Sequence, residues 1–131
     1  MHGSPLGGPF AFGDQNVIEK SAPSYSIRIY IAGNVEDAER MCLRYCSRRG
    51  FCVTVTPTEY VYKNGQESGV IIGIINYPRF PRSQDELWTV AVELTNLLMI
   101  ELCQSSATIE TPDSTHWMST RENDQSPGST S

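Results

Sequence analysis

A hairpin signal at Asn64 and Gly65 separates two extended stretches and restricts how this chain can fold. Asn-Gly is typical of a type I′ turn, because both central positions of that turn require a positive φ. Residues 51–56 alternate between apolar and polar side chains, Pro57 predicts a break or bulge in the ladder, and residues 60–62 resume extended structure before the turn. Residues 70–75 after it read VIIGII, as in a central strand that is covered on both faces. The second and third strands are therefore predicted to be antiparallel neighbours.

The remaining elements complete a familiar order. Three isoleucines alternate with polar residues over 27–31 and predict the first strand. Asn34 is suited to cap a first helix that ends at Gly50, and Ser83 with Glu86 predicts a capping box for a second helix. A strand follows at 107–111, and a last short extended piece is predicted at 116–118. The order β-α-β-β-α-β predicts an α+β, ferredoxin-like sandwich: a four-stranded antiparallel sheet with both helices on one face.

Length and charge restrict the number of domains and the class of partner. The chain has 131 residues, which is long enough to form one hydrophobic core. Its net charge of −5 is unfavourable for binding nucleic acid. We expect a disordered leader at 1–24, a domain at 25–118 and a disordered tail at 119–131. No secretory signal and no membrane-spanning stretch are recognisable, so a cytoplasmic protein with four free thiols is predicted.

Apolar residues exceed what one side of a two-layer domain can bury. Strand 70–75 is apolar on both sides, and the second helix carries a second apolar stripe that includes Trp88, Val92 and Met99. A homo-oligomer that covers these residues is therefore expected, with the stripe at the interface.

Cys42 and Cys46 share one face of the first predicted helix, and Cys52 lies on the strand that follows it. Three thiolates can bind a soft metal such as copper(I) or zinc. Buried cysteine is also a common small core residue, and the spacing lacks the two-residue knuckle of strong zinc sites. Both interpretations stay open at this point, with Cys52 as the candidate metal contact.

Asp113, Ser114 and His116 superficially resemble a hydrolytic set. Residues so close together in an extended segment point to alternate faces, whereas catalytic triads are assembled across a fold. A turn closed by Asp113 and Ser114 beside a surface histidine is the simpler interpretation.

Residues 29–34, IYIAGN, look like the first ribonucleoprotein motif of RNA-recognition domains. Those domains present aromatic side chains for base stacking on their third strand, and VIIGII has none. An RNA-recognition-like module is therefore retained only as an alternative.

Tyr60, Tyr62, Lys63 and Glu67 form a polar and aromatic protrusion around the hairpin. Such protrusions commonly carry ligand or subunit contacts, and cross-strand packing of the tyrosines is the alternative.

The run from Glu36 to Arg79 resembles the CutA-like proteins, which are divalent-ion tolerance proteins related to the PII signalling family. Matching positions are Cys52 and Val53, the aromatic hairpin at 60–65, and the apolar strand at 70–75. The resemblance implies a trimer in which each hairpin reaches a neighbour and ligands occupy the clefts between subunits. The histidine, proline and tyrosine segment of that family is missing after the second helix.

Together these patterns predict a non-enzymatic, oligomeric binding or regulatory module with metal or small-molecule sites between subunits. Tyr60, Tyr62, Lys63 and Glu67 are its candidate ligand residues, and a divalent metal or copper is its candidate cofactor. One alternative is an interaction or inhibitor protein that docks through the exposed sheet face or the second helix. Another is an enzyme that uses His116 or a cysteine.

Overall fold

A computed structural model of the protein describes residues 16–121 and residue 123. Within these residues two helices and five strands alternate in the order β1 (Ile27–Ala32), α1 (Val35–Arg49), β2 (Thr54–Tyr62), β3 (Gly65–Ile74), α2 (Gln84–Glu101), β4 (Ser106–Glu110) and β5 (Thr115–Ser119).

The five strands form one sheet in the order β2-β3-β1-β4-β5, and all neighbouring strands are antiparallel. An α+β domain with a sheet and two helices is thus confirmed, but a sheet of four strands is wrong. The segment predicted as a short extended piece is a full fifth strand, paired with β4 from Ser106↔Ser119 to Glu110↔Thr115. A tight turn makes this pairing possible, since the amide of Ser114 donates to the Thr111 hydroxyl and the amide of Thr111 donates to the Ser114 carbonyl.

The β2–β3 hairpin has the predicted pairing but a different turn. Tyr62 pairs with Gly65, so the loop consists of Lys63 and Asn64, and only Asn64, with φ 64°, has a positive φ in this turn. The predicted type I′ turn centred on Asn64 and Gly65 is therefore wrong. Gly65 instead leaves room for the Tyr62 ring, because a Cβ at this position would lie 2.8 Å from that ring.

Pro57 does not interrupt β2, contrary to the prediction. It pairs with Val70, and the register is unbroken from Thr54 to Tyr62. The reason is that β2 is at the edge of the sheet, where a missing backbone amide hydrogen leaves no partner unsatisfied.

Both helices begin as the sequence predicts. The Asn34 side chain accepts from the amide of Asp37 at the start of α1, and Gly50 ends that helix with φ 67°. Ser83 and Glu86 form a complete capping box at the start of α2. The two helices contact each other and pack on the sheet face that carries the fully buried side chains of Ile29, Ile72 and Ile109.

The opposite face of the sheet, called the outer face below, is uncovered in the single chain. Along β3, Val70, Ile72 and Ile74 are buried, whereas Ile71 is only half-buried on the outer face and Ile75 lies 46% exposed beyond the strand. The outer side of this strand is thus open in a single chain, and its covering by a second copy stays a prediction.

The second stripe of α2 is largely covered by the chain itself. Met99 is 4% exposed within the core, and Val92 packs against that core as a half-buried residue. Trp88 lies against His116 of β5, with 4.7 Å between ring centroids. Strand β5 thus helps to cover the second apolar stripe of α2, which was predicted to be buried by another copy of the chain.

The helices and strands span residues 27–119, where the sequence predicted a domain at 25–118. Residues 16–24 have no helix or strand, whereas residues 1–15 of the expected leader lie outside the described residues. The tail was predicted to begin at residue 119, but Ser119 is the last residue of β5. Residues 122 and 124–131 of the expected tail lie outside the described residues. No helix in the described part is long and apolar enough to cross a membrane. The cytoplasmic location stays a prediction.

Candidate functional site

Aromatic and acidic side chains gather on the outer face of the sheet. Trp117, Thr108 and Tyr30 stand side by side across β5, β4 and β1, and Tyr60 is paired with Glu67 across the hairpin. Together they line an open cavity of about 190 Å³, called the outer-face cavity below. Its other lining residues are Ile31, Ala32, Gln104, Ser106 and Ala107.

Tyr60 is held in place by two features of β3. Its hydroxyl donates to the Val70 carbonyl at 2.6 Å, and its ring lies over Gly69, where a Cβ would be 2.6 Å from the ring carbon Cε2. Burial raises the pKa of Tyr60, so the phenol stays protonated at neutral pH. The cavity therefore has a rigid, uncharged aromatic wall on this side.

Tyr30 is oriented by an acid on the neighbouring strand. Its hydroxyl donates to Glu110 Oε1 at 2.6 Å, and Arg28 is paired with Glu110 across β1 and β4. A hydrogen bond to a carboxylate is stronger than one between neutral groups, so the position of the Tyr30 ring is well determined.

Glu67 differs from Glu110 in having no side-chain partner. Its carboxylate is exposed at the cavity and forms no hydrogen bond or ion pair with the residues that the structure describes. The lining residues include no lysine or arginine, although the Arg121 guanidinium lies over the Trp117 ring with Cζ 5.4 Å from its centroid. An unpaired carboxylate beside aromatic rings favours a cationic ligand that also has a planar group, because ring faces attract cations and stack on planar groups.

Two of the four predicted ligand residues lie in this cavity. Tyr60 and Glu67 line it, whereas Tyr62 covers Gly65 and Lys63 lies in the turn, and neither is among the lining residues. Sequence reasoning missed Tyr30, Thr108 and Trp117. The period of two was the available signal for Tyr30, since it alternates with buried Ile29 and Ile31 and therefore points to the other face.

Two of the four cysteines, Cys42 and Cys46, pack in or against the core, whereas Cys52 and Cys103 are exposed. Cys42 is buried, and that burial raises its pKa to about 12; burial also raises the pKa of Cys46. All four cysteines are free thiols, as predicted. Among the described residues, no three His, Cys, Asp or Glu side chains are grouped so as to hold a metal ion. The metal contact of Cys52, which is exposed and donates to the Tyr77 hydroxyl at 3.4 Å, stays a prediction.

The β4–β5 turn and the start of β5 contain Asp113, Ser114 and His116, whose contacts are those of the turn. Ser114 Oγ and His116 Nε2 are 2.7 Å apart, and the amide of Asp113 donates to the Thr111 hydroxyl. His116 also contacts the Trp88 ring, and among the described residues no acid bonds to it in the way that would orient the histidine of a triad.

The structure is similar to two solved structures of a phage enzyme. The first, "phage SAM lyase in apo state", has a TM-score of 0.68 and 18% identity, with 81% of this chain and 98% of that chain covered. The second, "phage SAM lyase in complex with S-methyl-5'-thioadenosine", has a TM-score of 0.59 and 16% identity, with 81% and 97% covered. At these identities the likeness shows a shared fold. No family model and no curated protein matches the sequence.

These comparisons correct the predicted class of function. A non-enzymatic binding or regulatory module was expected, but the fold neighbours that match over nearly their full length are lyases. The resemblance to CutA-like proteins stays a prediction.

Proposed function

We propose that this protein is an enzyme that cleaves S-adenosylmethionine (SAM) and releases S-methyl-5'-thioadenosine from the outer-face cavity. The observation that carries the proposal is the grouping of Tyr60, Tyr30 and Trp117 with the unpaired carboxylate of Glu67. The substrate is a sulfonium cation that also carries an adenine ring and an ammonium group, and these are the groups that such a cavity attracts. The shared fold with a SAM lyase supports the same assignment.

The reaction requires one bond to break and one to form. The bond between sulfur and Cγ of the methionine part breaks, and its electron pair stays on sulfur, which becomes a neutral thioether. The carboxylate oxygen of the same methionine part forms the new bond to Cγ. The four-carbon product is then a lactone, and the reaction consumes no water and transfers no proton. Proximity within one molecule supplies much of the required orientation.

The charge on sulfur disappears during this step, which restricts the role of each group. A carboxylate beside the sulfonium would attract the substrate more strongly than the transition state, and such binding slows the chemical step. Glu67 is therefore assigned to the ammonium group of the substrate. Tyr60 and Trp117 are assigned to the adenine ring and to the walls around the sulfonium. Their rings stack on planar groups and exclude water, and a neutral ring attracts the charge that is lost less strongly than a carboxylate would.

Assembly of several copies belongs to the same proposal. The outer-face cavity is open, and Trp117 and Tyr62, at 55% and 54% exposed, lie on the uncovered face. A second copy of the chain over this face would exclude water from a bound substrate and bury these aromatic rings. The predicted homo-oligomer, with a trimer favoured, is therefore retained with this face as its interface. We also interpret β2, β3, β1 and β4 as a ferredoxin-like sheet to which β5 is added at one edge.

Rates of S-methyl-5'-thioadenosine formation from SAM test the proposal when variants with matched charge changes are compared. Glu67→Gln removes the carboxylate from the cavity, and we expect the rate to fall by at least about tenfold, which corresponds to the loss of one charged hydrogen bond. Glu59→Gln is the control, because Glu59 lies in the same hairpin but bonds Gln66 and Ser68 away from the cavity. Equal rates for the two variants would contradict the assignment of Glu67.

A further inference from the structure

A second cavity lies at the end of β3 that is remote from the hairpin. It has a volume of about 370 Å³ and lies between residues 50–52, which follow α1, and residues 75–82, which precede α2. Its walls are largely apolar and include the rings of Phe51, Tyr77 and Phe80, together with the side chains of Arg79 and Arg82. It shares no lining residue with the outer-face cavity. The name arginine cavity is used for it below.

The charges of this cavity are the opposite of those at the outer face. Arg79 lies over the Phe80 ring with Cζ 5.2 Å from the centroid, and Arg82 lies over the Phe51 ring at 5.0 Å. Neither guanidinium forms an ion pair with the part of the chain that the structure describes, and the lining residues include no acid. Arg82 also donates to the Gly50 carbonyl and attracts the Glu86 carboxylate at longer range, so Arg79 is the cation with the fewest partners here. Two guanidiniums without an ion pair favour an anionic ligand.

Hydrogen bonds fix the walls before any ligand binds. The side chain of buried Asn76 donates to the Pro23 carbonyl at 2.9 Å and accepts from the amide of Arg82 at 2.8 Å. The Arg82 guanidinium donates to the Gly50 carbonyl at 3.1 Å and so ties the two loops together. A preformed cavity binds more tightly because less conformational entropy is lost on binding.

Tyr77 supplies a further donor. The Cys52 thiol donates to the Tyr77 hydroxyl oxygen at 3.4 Å, which leaves the phenol proton for an acceptor in the cavity. The Phe80 side chain is 62% exposed and lines the cavity near the solvent. The cavity thus combines flat apolar walls with three donors suited to an anion.

We propose that the arginine cavity is a binding site for a small molecule that joins a planar aromatic ring to one anionic group such as a carboxylate or sulfonate. The ring lies against Phe51 and Phe80, and the anion is held by Arg79, Arg82 and the Tyr77 hydroxyl. A sulfonium substrate is repelled here, so this site is distinct in charge and position from the one assigned to SAM.

Protection of Cys52 from iodoacetamide reports on occupancy, because this exposed thiol lines the cavity. Naphthalene-2-sulfonate is the probe, and naphthalene-2-sulfonamide has the same ring without the charge. At a sulfonate concentration about ten times its Kd, mass action slows alkylation of Cys52 by about tenfold. Cys103, also exposed but outside this cavity, is the internal control and should react at an unchanged rate. The alkylated peptides are quantified by mass spectrometry.

Arg79→Gln tests the charge preference without disturbing the loops, since the Arg79 side chain makes no hydrogen bond to the described residues. In this variant the sulfonate should protect Cys52 no better than the sulfonamide does. Arg48→Gln, which removes an arginine stacked on Tyr45 elsewhere, should leave the preference intact. Equal protection by the two probes in the wild type, equal protection of Cys103, or no protection at all would overturn the proposal. None of these outcomes depends on SAM cleavage.

Discussion

The ring of Tyr60 lies across Gly69 on the neighbouring strand, and its hydroxyl donates to the carbonyl of Val70 at 2.6 Å. A glycine is needed there because a Cβ would lie 2.4 Å from the Ile31 carbonyl oxygen and 2.6 Å from the Tyr60 ring. The tyrosine thereby reaches across β3 toward β1 and becomes a wall of the outer-face cavity. One small residue in a central strand thus determines the shape of the candidate site.

Gly69→Ala should destabilise the protein by about 1–3 kcal/mol, since the new methyl group overlaps backbone atoms that cannot move aside. The free energy of unfolding in urea measures this loss. Gly73→Ala is the matched control on the same strand and face, because its Cβ meets chiefly the Thr54 hydroxyl, which can rotate away. An equal loss for both variants would show that strand propensity, and not the Tyr60 contact, is responsible.

The two tryptophans can locate the ligand, since they lie on different sides of the sheet. Trp117 lines the outer-face cavity, and Trp88 packs against His116 beside α2. Titration of Trp88→Phe with S-methyl-5'-thioadenosine should change the fluorescence of Trp117, which then is the only tryptophan. The same titration of Trp117→Phe should change the signal of Trp88 little. The reverse pattern would place the ligand on the helix side.

Stability should fall in alkaline solution because of Tyr45. Burial raises its pKa from 10.0 to about 12, so the folded protein keeps a proton that the unfolded chain loses between these pH values. The contribution is complete below pH 10 and is lost as the pH rises toward 12. Cys42, with a pKa raised from 9.0 to about 12, adds a loss in the same direction.

Unfolding curves across that range test this effect. Tyr45→Phe should be less stable near neutral pH, because the 2.8 Å hydrogen bond to Glu93 is gone, but its stability should decline less steeply above pH 10. A decline as steep as that of the wild type would assign the alkaline loss to other groups.

Light scattering coupled to size-exclusion chromatography tests the proposed assembly. We expect a homo-oligomer at micromolar concentration, and Trp117→Glu should shift it toward the monomer by placing a charge on the outer face. Trp88→Phe, on the other side of the sheet, should keep the oligomer. A monomeric wild type would contradict assembly through this face.

Local signals in the sequence predicted much of the fold. Asn34, Gly50 and the Ser83–Glu86 box act within one helical turn, so their roles can be deduced from neighbouring residues alone. The error at Pro57 had a different origin, since whether a proline breaks a strand depends on which strand is at the edge of the sheet.

The candidate site was predictable only in part because its contacts are distant in sequence. Tyr60 and Glu67 face each other across a hairpin and could be grouped from the turn. Tyr30 and Glu110 are 80 positions apart and meet only because β1 lies beside β4. The short fifth strand was underestimated for the same reason, and with it the place of Trp117 on the outer face.

Cleavage of SAM by the intact wild-type protein can be measured by incubating the two together and identifying the products by mass spectrometry. We expect S-methyl-5'-thioadenosine and homoserine lactone in equal amounts, at a rate proportional to protein concentration and well above that of SAM alone. SAM that is consumed no faster with the folded protein than without it would contradict the proposed cleavage.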